Sequence, residues 1–160
     1  MPVAAELLAR LLEEHSSALE LYARQWSSSP ADVVQEAFVR LARQSGTPAS
    51  PAAWLFTVVR NLAISDRRAS VRRARHESAA ANGDGWFEPD PAGGLDASAA
   101  TQALRQLPEE TREIVIAHLW GGLSFGEIAG LIGRSSSTAH RRYLEGIEEL
   151  RKHLGVPCPK

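Results

Sequence analysis

Apolar residues recur at helical spacing along most of the chain, and short cap and turn signals separate the helical stretches. In the first part, leucines and aromatic residues between Leu8 and Trp26 predict a helix over about Val3–Trp26. Ser29-Pro30 and Ser50-Pro51 each place an N-cap serine before a proline at the first helical position, which predicts two further helix starts. The third helix should continue to about Arg75.

The second part of the chain predicts a helix-turn-helix. A short helix ending at Leu107 and a Pro108-led helix to about Trp120 come first. Ser124-Phe125-Gly126-Glu127 is a capping box, and Gly133 stands where a left-handed helix cap is needed. Ser135 or Ser136 can cap the next helix at once. Its buried seam is predicted to consist of Ala139, Tyr143, Ile147, Leu150 and Leu154. This layout is typical of a helix-turn-helix, although a plain helical hairpin stays open as an alternative.

No alternating strand pattern competes with these helices, so the predicted fold class is all-α, with two small helical modules. Residues 77–100 combine Gly, Pro, Ala and five acids with no base, which predicts a flexible linker. The predicted domains are therefore residues 1–76 and 101–160. Trp86 and Phe87 are unusual in a spacer, and they either dock on a module or a partner, or are an incidental pair.

Composition excludes several classes. The 160 residues contain a single cysteine, Cys158, so no internal disulfide or cysteine-cluster metal site can form. No run of eighteen apolar residues and no signal peptide is present, which predicts a cytoplasmic protein without a membrane span. The five histidines lack metal-ligand spacing, and no phosphate loop, serine elbow or carboxylate pair stands out. We therefore expect no metal, no cofactor and no enzymatic activity.

The net charge of −1 conceals a strong segregation of charge. Residues 1–76 carry ten bases and seven acids, residues 77–100 no base and five acids, and residues 101–160 eight bases and seven acids. Between positions 60 and 75, six arginines accompany one acid, Asp66. Such a segment indicates nucleic-acid binding, although arginines also stabilise helix C-termini.

Three helix faces emerge when the residues are plotted at 100° per position. The second helix sets Val39 among short polar side chains, as a partner footprint would, although a single exposed valine is also common. The third helix sets Ile64 among arginines and an amide that can meet phosphates and base edges. The helix after Gly133 exposes polar and basic side chains to a major groove. The face of the second helix consists of Asp32, Gln35, Glu36 and Val39. The face of the third helix consists of Thr57, Arg60, Asn61, Ile64, Arg67 and Arg68. The face of the helix after Gly133 consists of Ser136, Ser137, His140, Arg141, Arg142, Leu144 and Glu145.

Four ordered blocks carry a family resemblance. DVVQEAFVRLA from Asp32, WLFTVVRNLAISDRR from Trp54, ALRQLPEETRE from Ala103, and the helix-turn-helix resemble bacterial RNA polymerase sigma factors of the extracytoplasmic-function (ECF) group. That family has sigma regions 2 and 4 joined by a variable linker. The resemblance implies an alternative sigma factor that directs core polymerase to specific promoters. A helix-turn-helix regulator that is not a polymerase subunit is the alternative.

The resemblance also implies roles for the three faces. The second-helix face would bind the clamp of the largest polymerase subunit, the third-helix face would open and hold the −10 element, and the recognition helix would read the −35 element. The flap of the polymerase, promoter DNA and an anti-sigma factor are the other implied partners. Three positions depart from the family pattern, which commonly has a basic residue at Glu145, an apolar one at Arg134 and a leucine at Tyr143.

Overall fold

The computed structural model describes residues 2–75, 86–87 and 97–156, and within these the chain forms seven helices and no strand. The all-α class is confirmed. The chain divides into two compact units, residues 1–81 and 82–160. The first contains α1 (Ala5–Ala23), α2 (Pro30–Ala42) and α3 (Pro51–Ala74). The second contains α4 (Ala97–Gln106), α5 (Glu109–Leu119), α6 (Phe125–Ile132) and α7 (Ser136–Leu154).

In the first unit, α1, α2 and α3 all pack against one another. Tyr22 is completely buried at the centre and meets the rings of Trp26 and Phe56 edge-on, at centroid distances of 5.1 and 5.0 Å. Edge-to-face contact of this kind is a favoured aromatic geometry and adds to the burial of apolar area. The aromatic contacts therefore join the end of α1 and the start of the α1–α2 connection to α3.

Prolines at the first helical position start α2 and α3, as predicted. Ser50 caps α3 by accepting a hydrogen bond from the Ala53 N–H at 3.4 Å. The side-chain cap expected at Ser29 does not form, and the Ser29 N–H donates to Ser27 Oγ at 3.0 Å. Helix α1 is also shorter than predicted. It ends at Ala23, after which the Trp26 N–H bonds the Ala23 carbonyl in a tighter turn.

In the second unit, α7 packs against α4, α5 and α6. Helix α4 begins at Ala97, inside the stretch predicted as linker, because Ala100 and Thr101 are buried and the alanine run favours helix. Trp86 is also buried in this unit, with 7% of its surface exposed. It is therefore docked on its own chain. The rest of the predicted linker lies outside the described residues.

Candidate functional site

The exposed face of α2 borders an apolar groove between α1 and α2. The groove has a volume of about 420 Å³, and Leu8 and Leu12 line it from α1. Gln35 and Val39 line it from α2. Leu12 is 44% exposed, whereas Val39 is only half-buried, so the valine is the edge of this groove and not an isolated surface residue. An apolar floor beside polar side chains is a common composition for a protein-binding surface.

The two carboxylates of the α2 face lie outside the groove wall. Asp32 and Glu36 are both exposed, one helical turn apart. Glu36 accepts a hydrogen bond from Arg40 Nε at 2.8 Å, so its charge is partly compensated within the helix. The structure thus groups all four predicted α2 residues along one stripe, with the amide and the valine nearest the groove and the acids at its rim.

Helix α3 carries its predicted residues along one side. Thr57, Asn61 and Arg68 are exposed, while the other three, Arg60, Ile64 and Arg67, are half-buried. The Thr57 hydroxyl donates to the Ala53 carbonyl at 2.9 Å, which leaves its oxygen as an acceptor. The face therefore offers guanidinium donors, an amide that can both donate and accept hydrogen bonds, and an apolar side chain. These are the groups that contacts to phosphates and unpaired bases require.

Asp66, the only acid of α3, is engaged inside the fold. Ser27 Oγ, in a side chain that is 6% exposed, donates a short hydrogen bond to Asp66 Oδ2. The same Ser27 oxygen accepts from the Ser29 N–H, so it links the start of α2 to α3. The carboxylate is therefore bonded to the α1–α2 connection. The sequence alone did not reveal this contact, because 39 positions separate the two residues.

The C-terminal end of α3 is the most basic surface of the first unit. Arg67, Arg68, Arg72 and Arg75 surround Val71, which is 50% exposed, and together they line a shallow pocket of about 350 Å³. Arginines in the last turn also complement the helix dipole, so part of this clustering stabilises α3 itself. The pocket extends the basic face beyond the six residues predicted from sequence.

The helix-turn-helix has the cap geometry that its sequence predicts. Ser124 Oγ accepts from the Glu127 N–H at 3.1 Å, and the Ser124 N–H donates back to Glu127 Oε2 at 3.0 Å. Gly133 adopts the left-handed conformation at φ 70°, ψ 36° and ends α6. Ser135 then caps α7 by accepting from the Thr138 N–H at 3.2 Å. These caps fix the turn between the two helices.

The exposed side of α7 brings most of the predicted recognition residues together. Ser136 lies at the first helical position and is exposed. Arg141 Nε is 4.0 Å from Glu145 Oε1, and both side chains are about two-thirds exposed, at 66% and 63%. A carboxylate at this distance restricts the guanidinium and lowers the net charge of the face. The remaining exposed residues of the face are Ser137, His140 and Leu144.

Arg142 occupies a different side of α7. Its Nε lies 3.2 Å from Glu110 Oε1 of α5, and its side chain is 32% exposed. The two groups form an ion pair, although the N–H is not aimed well enough for a hydrogen bond. Arg134 Nε, in the turn, donates to the other oxygen of Glu110 at 3.3 Å. Glu110 thus holds the turn and the recognition helix against α5, which explains a charged residue at position 134.

An aromatic cluster joins α5, α6 and α7 behind the recognition face. His118 stacks on Phe125 at 4.3 Å, and Tyr143 meets both rings, at 4.7 and 5.4 Å. His140 contacts Phe125 edge-on at 4.9 Å. The Leu123 carbonyl is 2.8 Å from His118 Nδ1, which requires the ring proton on that nitrogen. Tyr143 is therefore a packing residue, and the cluster restricts the position of His140.

Gly146 permits close packing of α7 against α5. A Cβ atom added there would lie 2.8 Å from both Thr111 Cγ2 and Val115 Cγ2, nearer than real Cβ contacts allow. Gly146 is buried in the middle of the helix, where glycine costs about 1 kcal/mol relative to alanine. The close approach of α5 accounts for this glycine, which no local sequence motif marks.

The described residues contain neither a metal-binding cluster nor a helix that could span a membrane. Among residues 2–75, 86–87 and 97–156, no three His, Cys, Asp or Glu side chains are grouped closely enough to hold a metal ion. None of the helices in that part of the chain is long and apolar enough to cross a membrane.

Comparison with known proteins decides the family. The family model described as Sigma-70 region 2 matches residues 11–73, and the one described as Sigma-70, region 4 matches residues 98–150. The chain is 34% identical to the ECF RNA polymerase sigma factor SigL of Mycobacterium tuberculosis, over 95% of this chain and 93% of that protein. The chain is an ECF sigma factor. As an alternative sigma factor, it directs RNA polymerase in transcription initiation, and the non-polymerase regulator is not favoured.

Further relatives agree with this sigma-factor assignment. The RNA polymerase sigma factor CarQ of Myxococcus xanthus is 33% identical over 78% of this chain and 74% of its own length. Two solved structures share the fold. Sigma factor RpoE from Bartonella quintana, in complex with the anti-sigma factor NepR, aligns with a TM-score of 0.76 at 24% identity, over 97% of this chain and all of that one. CnrH, in complex with the cytosolic domain of CnrY, aligns with a TM-score of 0.61 at 22% identity, over 97% of this chain and 92% of that one.

The matched regions of this ECF sigma factor contain the three faces described above. Region 2 includes α2 and α3, whereas region 4 includes α5, α6 and the recognition face of α7. The family and the fold were thus predicted correctly from the sequence. The roles of individual residues, and the exact domain limits 1–76, 77–100 and 101–160, stay predictions.

Proposed function

We propose that this ECF sigma factor binds core RNA polymerase through α2 and binds promoter DNA through α3 and α7. The observation that carries the proposal is the exposed stripe of Asp32, Gln35, Glu36 and Val39 beside an apolar groove. A DNA-binding regulator would not need a second unit with such a protein-binding surface. We propose that the stripe binds the clamp of the largest polymerase subunit and that the second unit binds the polymerase flap.

The α3 face is proposed to bind the −10 element. Opening DNA and extruding a base costs a few kcal/mol of stacking, which contacts to the freed base and to phosphates must offset. Asn61 can bond a base edge, Ile64 can pack on an unstacked base or sugar, and the arginines can neutralise phosphates. Asp66 bonds to Ser27, which supports this role because its carboxylate is satisfied within the protein. The six residues assigned here are Thr57, Arg60, Asn61, Ile64, Arg67 and Arg68.

The exposed face of α7 is proposed to read the −35 element in duplex form. Arg141 can contact guanine in the major groove, and Glu145 can accept from a cytosine amino group. Ser136, Ser137, His140 and Leu144 complete the face. Arg142 stays in the proposed set, but its pairing with Glu110 favours a positioning role over a direct contact.

In the proposed function, this protein supplies no catalytic chemistry, because the polymerase that it directs performs the reaction. It acts in the cytoplasm, where polymerase and promoter DNA are present. Two solved relatives of the same fold are complexes with an anti-sigma factor or with a cytosolic domain of another protein. We therefore also propose that an anti-sigma factor controls this chain.

A binding measurement with core polymerase tests the central assignment. Combining Asp32→Ala with Gln35→Ala should weaken binding to core polymerase about tenfold or more, because truncating central interface residues costs roughly 1–2 kcal/mol each. DNA binding by the isolated protein should be unchanged. The matched control is Gln102→Ala with Glu148→Ala, which removes the same kinds of exposed group from the second unit. Equal polymerase affinity for the two double variants would refute the assignment of the stripe.

A further inference from the structure

Trp86 is held in the second unit by contacts of its side chain. It is 7% exposed, and two guanidinium groups lie over its ring, with Arg105 Cζ at 5.1 Å and Arg112 Cζ at 5.4 Å from the ring centroid. Cation-π contacts at such distances favour a fixed ring position. The next residue, Phe87, packs on Trp120 at 5.8 Å. An aromatic pair within a predicted spacer is thus attached to α4 and α5.

The backbone of Trp86 is attached as well. Its N–H donates to Thr101 Oγ1 at 3.1 Å, and the Thr101 hydroxyl donates in turn to the Ala97 carbonyl at 2.9 Å. Thr101 is itself buried, at 4% exposure. A buried hydrogen bond is costly to break without a replacement partner. The attachment therefore fixes the course of the chain at Trp86, and does more than cover an apolar ring.

This attachment divides the chain between the two units into unequal parts. Without it, 21 residues, numbers 76–96, would connect Arg75 to the first residue of α4, a chain that can span about 75 Å when fully extended. With Trp86 held, only the ten residues 76–85 separate the end of α3 at Arg75 from the anchored position, and their largest span is about 40 Å. Because both Trp86 and Ala97 belong to the second unit, the length of residues 88–96 does not enter this span.

We propose that Trp86 is a spacing determinant: by anchoring the linker to the second unit, it limits the distances between −10 and −35 elements that the sigma factor accepts. This inference rests on the proposed function, in which the first unit binds one element and the second unit the other. Because B-DNA rises about 3.4 Å per base pair, a shorter connection excludes longer spacers. Trp86 contacts no DNA in this account and acts only through the number of residues between its anchored position and α3.

Insertions on the two sides of Trp86 provide the test. Four residues, Gly-Ser-Gly-Ser, are inserted either between positions 80 and 81 or between positions 91 and 92. Both additions lengthen the chain equally and leave the described packing of Trp86 intact. The readout is transcription by reconstituted holoenzyme from a promoter whose start site has been mapped, with the spacer lengthened by one to four base pairs.

The proposal predicts an asymmetric result. The insertion before Trp86 adds up to about 14 Å of reach, so transcription from the lengthened promoters should rise at least threefold relative to the parent spacer. The insertion after Trp86 should give the same dependence of transcription on spacer length as the unmodified protein. In Trp86→Ala, both insertions should act alike, and Trp86→Phe, which keeps an aromatic ring for the two arginines to contact, should restore the asymmetry.

Two outcomes would overturn the proposal. In the protein with native Trp86, the two insertions could change the spacer profile equally, or neither could change it; either result would mean that Trp86 only stabilises the second unit. These results differ from failure of the proposed function, in which the unmodified protein would support no promoter-dependent transcription at any spacing. The comparison does not depend on the folding of Trp86→Ala, because the insertion variants retain Trp86.

Discussion

Glu110 offers a sharp test of how region 4 restricts its own contacts with DNA. Its carboxylate pairs with Arg134 of the turn at 3.3 Å and with Arg142 of the recognition helix at 3.2 Å. The substitution Glu110→Gln keeps the size of the side chain and removes the charge. It should release two guanidinium groups beside a DNA-binding helix.

The expected effects on folding and on DNA binding have opposite signs. Partly exposed ion pairs contribute about 0–1 kcal/mol each, so the second unit should lose at most about 2 kcal/mol. Each additional phosphate neutralised steepens the dependence of log K on log salt by about 0.9, so two released arginines add up to about 1.8. At 0.1 M salt this corresponds to about eightfold tighter non-sequence-specific binding for each arginine that reaches a phosphate.

The assay is fluorescence anisotropy with a −35 duplex and a scrambled duplex between 0.05 and 0.2 M salt, concentrations at which phosphate contacts dominate affinity. Glu110→Gln should bind both duplexes more tightly with a steeper slope, and the ratio between them should fall. Glu149→Gln is the matched control, because Glu149 pairs with Lys152 at 3.3 Å within the later part of α7. An unchanged slope together with weaker binding would show that Glu110 only supports the fold, and would refute the reasoning.

Three further substitutions follow from the packing and the caps. Gly146→Ala should destabilise the second unit by about 1–3 kcal/mol in thermal unfolding, because its Cβ would overlap two methyl groups; a gain of about 1 kcal/mol, as helix propensity alone predicts, would contradict the close approach. Ser124→Ala should cost about 1 kcal/mol and speed hydrogen exchange in α6, and unchanged exchange would argue against the capping box. Asp66→Ala should destabilise the first unit by about 1–3 kcal/mol by leaving the buried Ser27 O–H without its acceptor, whereas full stability would show that the bond to Ser27 contributes little.

Local signals in the sequence were sufficient for the helix starts and for the turn of the helix-turn-helix. Pro30 and Pro51 start helices, Ser124 forms its capping box and Gly133 takes the left-handed cap, because each depends on residues within a few positions. Ser29 was the exception. Its side chain forms no cap, while its N–H donates to Ser27 Oγ, whose own hydroxyl donates to Asp66 of α3.

Contacts between distant residues could not be predicted in the same way. Glu110 lies 24 positions from Arg134, and Trp86 lies 15 positions from Thr101. The pattern of apolar residues around Glu110 or Trp86 does not indicate which distant residue will contact it in the folded protein. The exposed faces of α2, α3 and α7 were nevertheless derived from helical periodicity, since an amphipathic helix buries its apolar side regardless of the exact partner. The prediction was less accurate for Arg142, which was assigned to the exposed face of α7 but pairs with Glu110 of α5.

Transcription in vitro by core RNA polymerase tests the central claim most directly. Purified core enzyme is given genomic DNA with and without this protein, and the start sites are mapped. The account predicts a set of starts that require the protein and share −10 and −35 elements, and it predicts that Asn61→Ala and Arg141→Ala each reduce these starts about tenfold, equivalent to roughly 1.4 kcal/mol. Absence of protein-dependent starts, or starts unaffected by both substitutions, would contradict it.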